Sequence, residues 1–189
     1  MTHSPMTHSP IDVLVREVGL RDGLQSIKRV MPLEAKKRWI AAEAAAGVRE
    51  IEVGSFVPPA LLPQMADTAE LVAFAKGIEG LTVVTLVPNA KGMARAAEAG
   101  VDSVSIPFSM SESHSIKNVR KDHPAMLAEI AAAASIARDH GIHFAAGAQA
   151  GDAGAQQGRC VGHAAHHRQA TAQPALHLRL GDARGDRDH

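Results

Sequence analysis

Arg21 and Asp22 stand side by side in Gly19-Leu20-Arg21-Asp22-Gly23-Leu24-Gln25, and two such residues can do complementary chemistry. Asp22 offers hard carboxylate oxygens to a divalent cation. Arg21 offers a permanent positive charge to an oxyanion that develops during a reaction. Gly23 lets the backbone turn tightly beside them. On the dipeptide alone, a surface ion pair in an ordinary turn is the better reading, so position has to decide. The stretch follows Ile11-Asp12-Val13-Leu14-Val15-Arg16-Glu17-Val18, whose alternation marks a strand. A helical pattern begins soon after it. The pair therefore sits on a loop at the carboxyl end of a strand, where α/β folds gather ligands and catalytic groups.

The elements that must hold this loop repeat as strand then helix from Ile11 to about Gly147. Pro32 opens a helix over Leu33 to Ala46, with Gly47 as its stop. Residues 49–56 are the second strand, followed by the Pro-rich loop 57–65, which is too long for a mere connector. Asp67 or Thr68 caps a helix reaching about Ile78. Leu81 to Val87 is a buried strand, Asn89 caps a helix ending at Gly100, and Asp102 to Ser109 is the fourth strand. An Ala-rich helix spans Pro124 to His140, and Ile142 to Ala146 is a fifth strand. The fold expected is α/β: an incomplete (β/α)8 TIM barrel of about five parallel strands and four helices. A doubly wound sheet is the alternative, but no Gly-x-Gly-x-x-Gly follows the first strand.

Composition bounds the partners. With 20 basic and 20 acidic residues the formal charge is zero, so nothing draws the whole chain to nucleic acid or anionic lipid. The apolar runs fall short of the ~20 residues of a membrane span. A single cysteine, Cys160, excludes an internal disulfide framework and suits a reducing cytoplasm. Residues 1–10 repeat Met-Thr-His-Ser-Pro and read as a disordered leader without signal-peptide character. Residues 148–189 contain no Lys, Glu, Ile, Phe, Met or Ser. This irregular tail is expected to be low in complexity, the product of a reading frame other than the natural one.

Four motifs in order carry a family resemblance: Val18 to Gln25, Ile51-Glu52-Val53-Gly54-Ser55-Phe56-Val57-Pro58-Pro59, Pro63-Gln64-Met65, and Leu86-Val87-Pro88-Asn89. Over residues 11–147 the chain resembles the hydroxymethylglutaryl-CoA lyases, TIM-barrel metal-dependent enzymes with an Arg-Asp-Gly signature. Leu24 stands where the related isopropylmalate and homocitrate synthases commonly carry Glu. The resemblance implies cleavage of 3-hydroxy-3-methylglutaryl-CoA to acetyl-CoA and acetoacetate with Mg²⁺ or Mn²⁺, the chemistry of leucine degradation and ketone-body formation. On matching positions it makes Asp22 the metal ligand and Arg21 the group facing the enolate. Arg21 and Glu52 form the catalytic pair, with Gln25, Ser55 and Asn89 toward the substrate. Packing or helix capping accounts for Asn89 equally well. An acyl-CoA is the partner implied, and the full-length family is expected to be homodimeric.

The departures have consequences. The family completes its metal site with a His-x-His pair and an Asn, and supplies a cysteine from a glycine-rich loop. No recognisable counterpart occurs here: Cys160, His163, His166 and His167 lie in the aberrant tail. His143 reads as a satisfied barrel histidine. His114 faces either a pocket or solvent. Lys117, Arg120 and Lys121 meet either CoA phosphates or water. One carboxylate cannot hold a catalytic Mg²⁺ alone, and half a barrel leaves two open edges. The chain is therefore expected to be a truncated lyase with impaired activity. Its competitors are a related aldolase or acyl transferase, and a non-catalytic α/β module whose His- and Arg-rich tail binds metal or an acidic partner.

Overall fold

The structure is a computed structural model that describes residues 14–149. The expected leader, the start of the first strand, Cys160 and the tail histidines lie outside them. Within them, five parallel strands pair in chain order: β1 (Arg16–Glu17), β2 (Glu50–Ser55), β3 (Thr82–Leu86), β4 (Ser103–Ser109) and β5 (His143–Gln149). Helices α1 (Leu33–Ala45), α2 (Thr68–Ala75), α3 (Ala90–Ala99), α4 (Glu112–Val119) and α5 (His123–Asp139) fill the connections. Parallel strands cannot be joined by hairpins, and each crossover brings a helix onto the sheet.

Alternation along the strands sets the core. In Ser103-Val104-Ser105-Ile106, Val104 and Ile106 are fully buried and join Ile51, Val53 and Val83 of the neighbouring strands. Ile40 of α1, Leu71 and Val72 of α2, Met93 and Ala96 of α3 and Met126 and Ala133 of α5 belong to the same cluster. Successive side chains of a strand point to opposite faces, so the serines and glutamates interleaved with these residues lie on the other face. That face carries the polar chemistry.

Helix ends follow their capping residues. Asn89, Ser111 and Asp122 accept backbone N–H groups of Gly92, His114 and Ala125 at the starts of α3, α4 and α5. Gly100 ends α3 in the left-handed region at φ 77°.

Three expectations need correction. Of the described part of the first strand, residues 14–18, only Arg16 and Glu17 pair as strand, and the chain leaves extended geometry at Val18 (φ −125°, ψ 0°) to enter the Arg-Asp turn. Among the described residues the helices number five rather than four: the short α4 starts at its Ser111 cap and packs Val119 against the core. The fifth strand runs to Gln149 instead of Ala146, in register with β4 as far as Ser109↔Gln149. Among the described residues no helix is long and apolar enough to cross a membrane.

Candidate active site

The Arg-Asp turn is a single π-type turn over Gly19–Gly23. The Leu24 N–H reaches back to the Gly19 carbonyl, while the Arg21 and Asp22 N–H groups both donate to the Val18 carbonyl at 3.1 and 2.7 Å. Such turns recur at functional sites because they push side chains out of regular phase. Gly19 sits in close quarters: a Cβ there would lie 2.6 Å from Glu17 Oε1 and 3.0 Å from the Trp39 ring, so both side chains would have to shift. Leu20, fully buried, anchors the turn in the core, which leaves Arg21 and Asp22 over the carboxyl ends of β1 and β2.

Arg21 is the hub. Its Nη1 donates to Asp22 Oδ1 at 2.8 Å and its Nη2 to Glu52 Oε2 at 3.0 Å. Glu52 is almost fully buried on β2, and its second oxygen accepts from Ser105 Oγ of β4 at 3.1 Å. A buried charge persists when it is paired and its remaining lone pairs are used, and Glu52 meets both conditions. Gln25 joins through Asp22, donating to Oδ1 at 3.2 Å. The Asp22 side chain is 52% exposed, and its Oδ2 has no protein partner among the described residues. Arg21 Nε is buried and likewise unpartnered among them. The arrangement offers a fixed positive charge, locked by a buried carboxylate, beside an open carboxylate oxygen.

Arg21, Asp22, Gln25 and Glu52 thus come together, and Ser105 belongs with them. Ser55 and Asn89 make no hydrogen bond to this cluster. Ser55 is buried; its Oγ accepts from the Val57 N–H at 3.3 Å and its backbone is pinned on both sides by Thr68 Oγ1 at 3.1 Å. Asn89 Oδ1 caps α3 by accepting the Gly92 N–H at 2.9 Å. Ser105 was legible in principle: serines at 103, 105 and 109 alternate with Val104, Ile106 and Phe108, marking a polar strand face.

The remaining ionisable candidates sit elsewhere. His143 is exposed and its Nδ1 lies 3.1 Å from Ser103 Oγ. His114 Nδ1 lies 2.8 Å from Ser109 Oγ. Lys121 pairs with Glu129 of α5, Arg120 ends α4 in the left-handed region at φ 56°, and Lys117 is exposed. No group of three or more His, Cys, Asp or Glu side chains able to hold a metal occurs among the described residues. Asp22 contributes one open oxygen, so these residues by themselves do not fit a divalent cation, which asks for several oxygen or imidazole donors.

Five parallel strands with helices in the crossovers define a partial (β/α)8 barrel, with the Arg21–Glu52 pair joining the turn after β1 to β2. The HMGL-like family model matches residues 12–182, and the chain belongs to that family. A 3-hydroxy-3-isohexenylglutaryl-CoA/hydroxymethylglutaryl-CoA lyase of Pseudomonas aeruginosa is 38% identical over 133 residues, covering 70% of this chain and 44% of that protein. The mitochondrial hydroxymethylglutaryl-CoA lyase of Gallus gallus is 43% identical over 110 residues, 58% of this chain and 37% of that one. The fold superposes on the Bacillus subtilis HMG-CoA lyase with a TM-score of 0.69 at 31% identity, covering 74% of this chain and 47% of that structure. An HMG-CoA lyase from Acinetobacter baumannii, in complex with coenzyme A and 3-methylmalate, gives 0.64 at 30% identity, covering 72% and 45%. The chain spans less than half the length of each of these relatives.

Proposed function

We propose that this site serves carbon–carbon bond cleavage of a 3-hydroxyacyl-CoA, with 3-hydroxy-3-methylglutaryl-CoA as substrate and acetyl-CoA and acetoacetate as products. The observation that carries the proposal is Arg21, held at 3.0 Å by the buried Glu52 over the strand ends of an HMGL-like barrel. In such a cleavage a base takes the proton of the tertiary hydroxyl and the hydroxyl carbon becomes a ketone. The electron pair of the broken bond passes to the thioester fragment, which leaves as an enolate and is protonated to acetyl-CoA. A fixed guanidinium beside that enolate oxygen lowers the barrier without reorganising at the moment of reaction. Glu52 and Ser105 set its direction, and Gln25 orients Asp22.

Mg²⁺ or Mn²⁺ enters this proposal through Asp22 alone, and further donors would have to come from outside residues 14–149. An acyl-CoA as ligand is supported by the family and by the coenzyme A bound to the Acinetobacter relative. A cytoplasmic setting, supported by the lone Cys160, and a homodimer are part of the same proposal.

The test is acetoacetate release from 3-hydroxy-3-methylglutaryl-CoA by the whole chain with added Mg²⁺ or Mn²⁺. Slow release is expected, because a truncated chain that offers only Asp22 to the cation is an impaired lyase, and Arg21→Met should lower it by a further factor of roughly 10² to 10³, the usual cost of losing an oxyanion donor. No release from the unmodified chain, or equal rates for both proteins, overturns the assignment.

A further inference from the structure

Lys36 is the largest fully buried side chain among the described residues, 1% exposed on the core-facing stripe that α1 shares between Lys36, Ile40 and Ala44. A lysine at such a position is costly unless its charge is met. Its Nζ donates to Asp67 Oδ1 at 2.7 Å and Oδ2 at 3.0 Å, and to the Gln64 carbonyl at 2.6 Å. Asp67 immediately precedes α2 yet makes no side-chain cap there, because its carboxylate is turned to Lys36. Gln64 in turn donates its side-chain amide to the carbonyl of Ile27. Only the NH₂ end can face a carbonyl, so that amide's orientation is fixed.

These contacts join three segments. Gln64 belongs to the Pro-rich loop that leaves the carboxyl end of β2, the strand of Glu52. Ile27 belongs to the loop that leaves the Arg21–Asp22 turn. Lys36 reaches both from underneath, the second by way of Gln64. A leucine or methionine would fill the same space on α1 without the cost of burying charge. What the lysine adds is direction: its donors require one loop carbonyl and one carboxylate at set places.

We propose that Lys36, Asp67 and Gln64 form a clasp that holds the two loops framing the Arg21–Glu52 centre at a fixed separation. Lys36 is then a positioning residue for the acyl-CoA site. It makes no hydrogen bond to Arg21 or Glu52, and acts on the loops that follow the Arg21 turn and β2. The part that concerns acyl-CoA rests on the lyase reading above; the clasp itself does not.

The experiment compares the whole chain with Lys36→Met, Lys36→Arg and Gln64→Ala by hydrogen–deuterium exchange and steady-state kinetics on 3-hydroxy-3-methylglutaryl-CoA. In Lys36→Met, amide protection should fall by roughly tenfold or more over residues 58–66 and 25–31 while β3 keeps its protection, a local opening rather than global unfolding. KM should rise with kcat nearly unchanged, and Lys36→Arg should restore much of both. Gln64→Ala should loosen residues 25–31 alone, and it decides the matter if Lys36→Met does not fold. Unchanged loop protection, or an equal loss in β3, overturns the clasp. If the unmodified chain neither binds nor cleaves the thioester, the lyase reading fails while the exchange data still judge the clasp.

Discussion

Arg21 and Glu52 depend on each other. The guanidinium side chain is 16% exposed and the carboxylate 3%, so each is mostly cut off from water and relies on its partner. Glu52→Ala leaves Arg21 with a single carboxylate and Ser105 Oγ without its acceptor. Breaking a buried pair from one side costs about 3–5 kcal/mol, and urea unfolding should show a loss of that order. Glu52→Gln keeps the shape and an acceptor oxygen, and should lose less stability than Glu52→Ala. A loss below about 0.5 kcal/mol for Glu52→Ala, the range of ordinary surface substitutions, would mean that Arg21 is held by something other than this carboxylate. Adjacency made Arg21 and Asp22 conspicuous in the sequence. The bond from Arg21 to Glu52 spans 31 positions, and it follows only once two strands are known to be neighbours. Lys36 was illegible for another reason: hydropathy alone marks a lysine as surface, and only its place on the Ile40–Ala44 stripe hints otherwise.

Among the elements, β2 and α2 approach closely at Gly54 and Thr68. A Cβ at Gly54 would lie 2.4 Å from Thr68 Oγ1 and 2.9 Å from its Cγ2. The same Thr68 hydroxyl accepts from the Ser55 N–H and donates among the carbonyls of Ser55 and Met65. Gly54→Ala should therefore separate α2 from β2 and destabilise the chain by about 1–3 kcal/mol, the range of core overpacking, read as a lowered Tm. Thr68→Ser, which removes the obstructing methyl and keeps the hydroxyl, should recover part of the loss. Element order, the helices bounded by Asn89 and Gly100, and the central strands were all readable from capping residues and apolar period. The eight-residue α4 was not read, although Ser111 caps it, because so short a segment holds only Ile116 and Val119 as large apolar residues. The early end of β1 was hidden as well, since the alternation of residues 11–18 continues through Val18, where the backbone has already turned.

For the molecule as a whole, Glu129 joins parts that no single element connects. From α5 its Oε2 accepts the Ala90 N–H at the start of α3, at 2.9 Å, and its Oε1 pairs with Lys121 in the segment before α5. The Lys121 hydrogen bond first, and the Ala90 N–H second, hold its carboxyl below the ordinary value of 4.5. A depressed acid stabilises the fold fully above its unfolded pKa, and the contribution drains away as pH falls through the folded one. Stability measured by urea titration should therefore decline as pH drops below about 4.5. Glu129→Gln should be less stable at neutral pH and show a shallower decline. Identical slopes in the two proteins would assign the acid sensitivity to other groups.

The order in which the strands pair is also the order in which they are made. Each new strand lies beside the one just completed, with a helix between them to cover it, so strand pairing among the described residues never waits for a strand made later. Parallel pairing is intrinsically slow when a full-length chain searches for it in solution, because loops must close before contacts reward them. A chain emerging from the ribosome at about 5–20 residues per second meets that search one crossover at a time. On that schedule the Arg21 turn can meet β2 before β5 is made, while Ser105 of β4 reaches Glu52 later.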